Sequence, residues 1–310
     1  MMRRQLFFLA VWATACDPGG FKVTPSGSDF TLRSVYVSSD ASALIAGQFG
    51  AVFDWDGETF VDTSTDADPG PRVPSFFAAA RVTGRSFIAG DDGTMLVRVG
   101  AGEFVLDDFD GNSRVLTMLA PTPSVLYAGS ENGRLYRRVA ADGERWGRVD
   151  LPVPGGTKIT GGWAIREDDM VLTTDAGLVL DRVDGDWVAQ TVATETSTTP
   201  LPLFGVWSST VGADLFAVGL GGAIYRRSPP DFEWVSEVSP TTQDLYGIYG
   251  LAADEIFAVG ANGTLLEYDG ASWRAIPSGT SEDLYAVHAH AGSRWVVAVG
   301  SSGIVVSRRD

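Results

Sequence analysis

Reactive side chains are scarce in this sequence. It holds one cysteine, Cys16, and two histidines, His288 and His290. A single cysteine permits no disulfide within the chain, so the fold must rest on its core. No HExxH, GxSxG, P-loop or CxxC pattern occurs, so the short motifs of several large enzyme classes are missing. His288 and His290 could share a strand face, but no third metal ligand stands with them, and packing between sheets is the plainer role for His288. Positive charge is in deficit too: 23 Lys and Arg face 39 Asp and Glu, a net charge of −16. An acidic chain with no basic stripe is a poor binder of nucleic acid, and none is expected as a partner. Beyond the first 16 residues no apolar run is long enough to cross a bilayer.

Those first residues read as an address. Met1-Met2-Arg3-Arg4 is a charged start, Leu6 to Ala13 a short apolar stretch, and Ala13-Thr14-Ala15 a small-residue cleavage site directly before Cys16. The pattern resembles the signal of bacterial lipoproteins, whose cleaved N-terminal cysteine carries the lipid. It departs from that signal in having Ala13 where leucine is usual. The resemblance implies a signal peptide over 1–15, a lipidated Cys16 with a short tether over 16–20, and export to the cell envelope. The alternative is ordinary secretion or a soluble periplasmic form with a leftover thiol.

What the chain has in quantity is a repeat. Asp244–Thr280 shows it most clearly: LYGIYG, EIFAVG, TLLEYD and WRAIPS are short strand-like runs, broken by AADE, ANG and DGAS. Asn262-Gly263 and Asp269-Gly270 are hairpin pairs suited to positive φ. A glycine, two or three residues, then a second glycine opening a strand recur at Gly47/Gly50, Gly90/Gly93, Gly129/Gly133, Gly219/Gly222, Gly260/Gly263 and Gly300/Gly303, with a degenerate copy at Thr174/Gly177. The second glycines are spaced by 43, 40, 44, 45, 41 and 40 residues, which makes seven copies. The seventh copy ends after its third strand. Phe21-Lys22-Val23-Thr24-Pro25-Ser26-Gly27 aligns with Trp273-Arg274-Ala275-Ile276-Pro277-Ser278-Gly279 and can supply the fourth. The predicted fold is all-β: a seven-bladed propeller of four-stranded antiparallel blades over 21–310, closed by pairing of the N-terminal strand with the last blade. DLYGIYG, DEIFAVGANGTLLEYDG and the Trp that follows resemble the propeller repeats of secreted myxobacterial proteins, grouped with WD40/YVTN/BNR-like propellers. That resemblance implies the fold and an interaction role, and no particular reaction. Sialidase-type Asp-boxes do not occur.

Strand order assigns charge to faces. Loops between blades and the turn from second to third strand share an upper face. There the sequence puts Asp62, Asp66, Asp68, Asp91, Asp92, Asp107, Asp108, Asp110, Glu282 and Asp283, the candidate binding carboxylates. The lower ends of the third strands carry Arg98, Arg137, Arg138, Arg182, Arg226, Arg227, Arg308 and Arg309. They are read either as edge protection paired with nearby acids or as a basic rim seated on an anionic membrane. Asp62, Asp66 and Asp68 offer three carboxylates, yet lack the alternating pattern of known calcium loops; no cofactor is expected, with Ca²⁺ the one candidate.

These features point to a monomeric, membrane-anchored propeller that presents its acidic face to a protein or peptide partner, a cationic one by charge. The alternatives are a glycan-binding or glycan-cleaving enzyme, suggested by nine tryptophans, and an assembly factor for a membrane complex. If Cys16 carries the lipid, Cys16→Ala shifts the protein from the membrane pellet to the soluble fraction on sedimentation of cell extracts. A variant that sediments as fully as wild type removes the anchor.

Overall fold

The computed structural model describes residues 20–39, 41–64, 73–140, 145–192, 200–229 and 233–310. The leader, Cys16, Asp66 and Asp68 lie outside these residues. The described chain forms seven antiparallel sheets of four strands each, in sequence order except the last, where Lys22–Pro25 pairs with Ile304–Arg309. Blades one to seven open with Leu32–Val37, Phe76–Val82, Val115–Thr122, Ile159–Arg166, Leu203–Ser208, Leu245–Ala252 and Leu284–His290. These first strands line a central channel and pack against one another around the ring. The fold is therefore the seven-bladed propeller that the repeat predicts, closed by its two chain ends.

The repeated glycines have a steric reason. Gly260 ends the second strand of blade six, and a Cβ there would lie 1.9 Å from the Asp244 carbonyl oxygen. Gly263 follows two residues into the turn; its φ is 68° and its Cβ would lie 2.0 Å from the Thr280 carbonyl oxygen. The first glycine lets the turn close on its own blade, and the second lets it close on the loop to the next. Asn262 has φ 52°, so both central turn residues are left-handed, as a tight hairpin requires.

Both faces of each blade are apolar and are covered by the neighbouring blades. Between blades seven and one, Trp55 and Trp295 meet at 5.1 Å, each 1% exposed, with Leu32, Ile45, Val297 and Val299 around them. Between six and seven, Phe21 packs edge-on against Phe257 at 5.7 Å. Phe21 thus anchors the closing strand. Phe21→Ala is expected to cost about 3–5 kcal/mol, the range for a large buried side chain removed from a core, and deletion of 20–27 to cost more. Chemical denaturation checks both. An unchanged midpoint in the deletion would mean that the ring does not need this strand.

Candidate functional site at the channel mouth

Every first strand has a β-bulge just inside its upper end. The register shifts between Leu32 and Ser34, Phe76 and Ala78, Val115 and Thr117, Ile159 and Gly161, Leu203 and Gly205, Leu245 and Gly247, and Leu284 and Ala286. A bulged residue leaves the ladder, and its side chain is re-aimed. The bulged residues are Arg33, Phe77, Leu116, Thr160, Phe204, Tyr246 and Tyr285, all half-buried. Five of them touch in ring order. Phe204 and Tyr246 lie 5.8 Å apart, and Tyr246 stacks on Tyr285 at 5.3 Å. The Arg33 guanidinium sits 3.8 Å over Tyr285 and 6.0 Å from Phe77. Arg114 covers Phe77 at 4.8 Å. The upper mouth is an aromatic crescent interrupted by one guanidinium.

Carboxylates collar this crescent. Asp283 Oδ2 accepts from the Tyr285 hydroxyl at 3.2 Å. Burial raises the Tyr246 pKa, and the charges of Asp244 and Asp283 push it further the same way, so its hydroxyl stays a donor. Arg114 is offset by Asp91 at 2.7 Å and Glu131 at 3.4 Å. Among the described residues, Arg33 makes no ion pair; its contacts are the two rings.

The lower end of the same strands is filled differently. Tyr36, His288, Tyr249, Trp207 and Trp163 occupy one repeating place. His288 lies 4.8 Å from Tyr36 and 4.1 Å from Tyr249, and Trp163 packs on Tyr249 at 5.3 Å and on Trp207 at 5.9 Å. His288 Nδ1 accepts from the Val37 amide at 3.2 Å, which ties blade seven to blade one. Burial pushes its pKa down to about 3, with nearby His290 acting in the same direction. This is packing chemistry. Among the described residues no group of three or more His, Cys, Asp or Glu could hold a metal.

The structure divides the predicted carboxylates. Asp62, Asp92, Asp108 and Asp110 are exposed. Asp91 and Asp283 are already engaged: Asp91 Oδ2 accepts from the Ser75 amide at 3.0 Å, and Asp283 Oδ1 from the Asn262 amide at 2.8 Å. Glu282 accepts from the Ser302 hydroxyl at 3.1 Å. Asp107 is a correction: its side chain is 4% exposed, accepting from the Trp146 indole at 2.6 Å with Arg138 at 3.8 Å. It is a strut between blades two and three, drawn in by the indole N–H, and not a surface charge.

Five arginines of the third strands, Arg98, Arg138, Arg182, Arg227 and Arg308, likewise turn inward, while Arg137 and Arg226 stay half-exposed. Arg98 pairs with Asp54 at 2.5 Å and Arg227 with Asp181 at 2.6 Å, in each case reaching the preceding blade. Arg308 meets Glu267 at 3.3 Å, and Glu255, both in blade six. Arg137 and Arg182 converge on Glu167, and Arg226 on Asp214 at 2.8 Å. Arg98 and Arg138 are buried; what they face is the neighbouring blade, not a membrane. Arg309 is exposed, over the Trp295 ring at 5.5 Å.

The mouth ring escaped the sequence reading. Its signal is a short pattern at the start of each first strand, as in Leu245-Tyr246-Gly247, Leu203-Phe204-Gly205 and Leu284-Tyr285-Ala286: apolar, then aromatic, then small. Strand alternation would assign the middle residue to a blade face, whereas the bulge turns it to the mouth. Trp55 and Trp295 are both in the core and so are not placed for stacking on a sugar.

No protein-family model matches the chain, and no curated protein does. Solved structures share its fold. YCF48 bound to D1 peptide superposes with a TM-score of 0.74 at 14% identity, over 93% of this chain and 94% of that one. YCF48 from Cyanidioschyzon merolae gives 0.73 at 14% identity, over 93% and 98%. The extracellular domain of BT4673 from B. thetaiotaomicron gives 0.76 at 15% identity, with 93% of this chain covering 40% of that one. At such identities the likeness establishes the fold alone.

The lower cluster makes a pH prediction. An unfolded histidine titrates near pH 6.5, and folded His288 near 3. Between these values the unfolded chain binds the extra proton, so His288 removes stability as pH falls, by up to about 1.4 kcal/mol per unit. His288→Tyr, the residue of blades one and six, should therefore lose less melting temperature than wild type between about pH 7 and about pH 4. Parallel melting curves would refute the assignment.

Proposed function

We propose that the chain is an exported interaction propeller whose upper face holds a cationic peptide or protein segment across the channel mouth. The observation that carries this reading is the continuous run Phe204, Tyr246, Tyr285, Arg33 and Phe77 inside a collar of carboxylates. Aromatic faces accept apolar side chains and cations alike. The acidic surround favours the approach of a basic partner and disfavours an acidic one. The solved YCF48 structure, a propeller of the same fold bound to a peptide, supports a binding role.

On this reading residues 1–15 are a leader and Cys16 is the lipid attachment point. Four residues separate Cys16 from Phe21, so the tether leaves the lower face close to the bilayer and the mouth directed away from it.

Titration of the full-length chain with fluorescein-labelled Lys-Lys-Phe-Lys-Lys and Glu-Glu-Phe-Glu-Glu tests the reading. The basic peptide should bind, more weakly as salt rises, and the acidic one should not. Tyr246→Ala together with Tyr285→Ala should weaken binding about tenfold or more, the scale of an aromatic hot spot. Equal binding of the two peptides, or no binding of either, overturns it.

A further inference from the structure

Beside the mouth, the upper face carries an exposed aromatic pair that the fold does not need. Phe30, in the loop leading into blade one, is 45% exposed, and Phe49, in the tight turn of the same blade, is 60% exposed. Their rings lie 5.2 Å apart. Phe49 has φ 53° and ψ 40°, the left-handed region. The same turn position holds Asp92, Gly221, Asn262 and Ser302 in blades two, five, six and seven, residues that are small or polar, and these too have positive φ. A phenylalanine there bears backbone strain and exposes apolar surface together. The core gains little from it, since more than half of its surface faces solvent. Strain kept without a packing return is characteristic of a contact residue.

The pair is held in place. Phe30 N–H donates to Ser28 Oγ at 3.1 Å, its carbonyl accepts from the Gly303 amide at 3.0 Å, and the next carbonyl, that of Thr31, accepts from the Gln48 amide at 2.9 Å. Asp29 precedes it and is exposed, and Glu282 stands on the adjoining loop, held by Ser302. Three residues after Phe30 comes Arg33 of the mouth, so the two features share the entry to blade one.

We infer that Phe30 and Phe49 form the specificity anchor of the upper face: they receive an apolar side chain of the partner, flanked in its sequence by Lys or Arg that meet Asp29 and Glu282. The occupant is a basic segment with an embedded apolar residue, and not an amphipathic surface at large. This inference rests on the upper face being the binding face.

The test uses the full-length chain with fluorescein-labelled Lys-Lys-Phe-Lys-Lys and Lys-Lys-Gly-Lys-Lys. The phenylalanine peptide should bind wild type about tenfold more tightly than the glycine peptide, and Phe49→Asn should abolish that preference. The melting temperature of Phe49→Asn should hold or rise, because Asn takes this conformation in blade six. Phe30→Ser should lose the same preference. If both basic peptides bind alike, or Phe49→Asn keeps the preference, the anchor is wrong while the basic-partner reading stands. A lowered melting temperature in Phe49→Asn would make Phe49 a structural residue and also overturn the anchor. If neither basic peptide binds, both readings fall.

Discussion

A small sheet that is apolar on both faces has no stable existence until both are covered. Here each blade covers the next, and the condition can be met everywhere only if the ring closes. Closure falls to one short pairing, Lys22–Pro25 against Ile304–Arg309, with Phe21 wedged onto Phe257. The strand contributes hydrogen bonds to an otherwise open sheet edge. The phenyl ring contributes the apolar contact that fixes it there. The shape of the channel, the positions of both its mouths and the face that each loop occupies follow from this closure.

The first strands show how one element serves two ends. At the lower end, Tyr36, Trp163, Trp207, Tyr249 and His288 fill the converging space between sheets and tie the blades to one another. At the upper end, a bulge breaks the ladder and releases one side chain per blade to the mouth. The fixed end gives the open end a rigid base, so the aromatic crescent is largely arranged before any partner arrives. Preorganisation of that kind lowers the entropic cost of association.

Much of the architecture was legible in the chain. The glycine pairs have a cause that sequence spacing can carry, because a turn that packs on two carbonyls tolerates no Cβ, as at Gly260 and Gly263. The alignment of Phe21–Gly27 with Trp273–Gly279 gave the closure for the same reason: repeats preserve packing places. The site was less legible. Alternation assumes an unbroken ladder, so it misplaces residues such as Tyr246 and Tyr285, which sit on bulges. Counting acids on a face also misjudges them, since Asp107 looks like its neighbours Asp108 and Asp110 in sequence and differs only by an indole and a guanidinium brought from the next blade. Phe49 needed the turn's backbone before its exposure could mean anything.

The inward arginines have a consequence for how the ring is ordered. Asp54 serves Arg98, Asp181 serves Arg227, and Glu267 serves Arg308, each acid lying one blade behind its base. Elsewhere the partner differs: Arg138 turns to Asp107, which follows the fourth strand of its blade instead of lying in the third, and Arg182 to the hydroxyl of Tyr127. Junctions of the first kind share one lock and key, and the others do not fit it. Seven blades of one shape could in principle be assembled in any sequence, but an order that set Arg98, Arg227 or Arg308 beside a blade without the matching acid would strand a guanidinium in a desolvated seam, and an uncompensated buried charge of this kind costs about 3–5 kcal/mol. The propeller is symmetric in backbone and directional in charge, so its blades are not interchangeable parts.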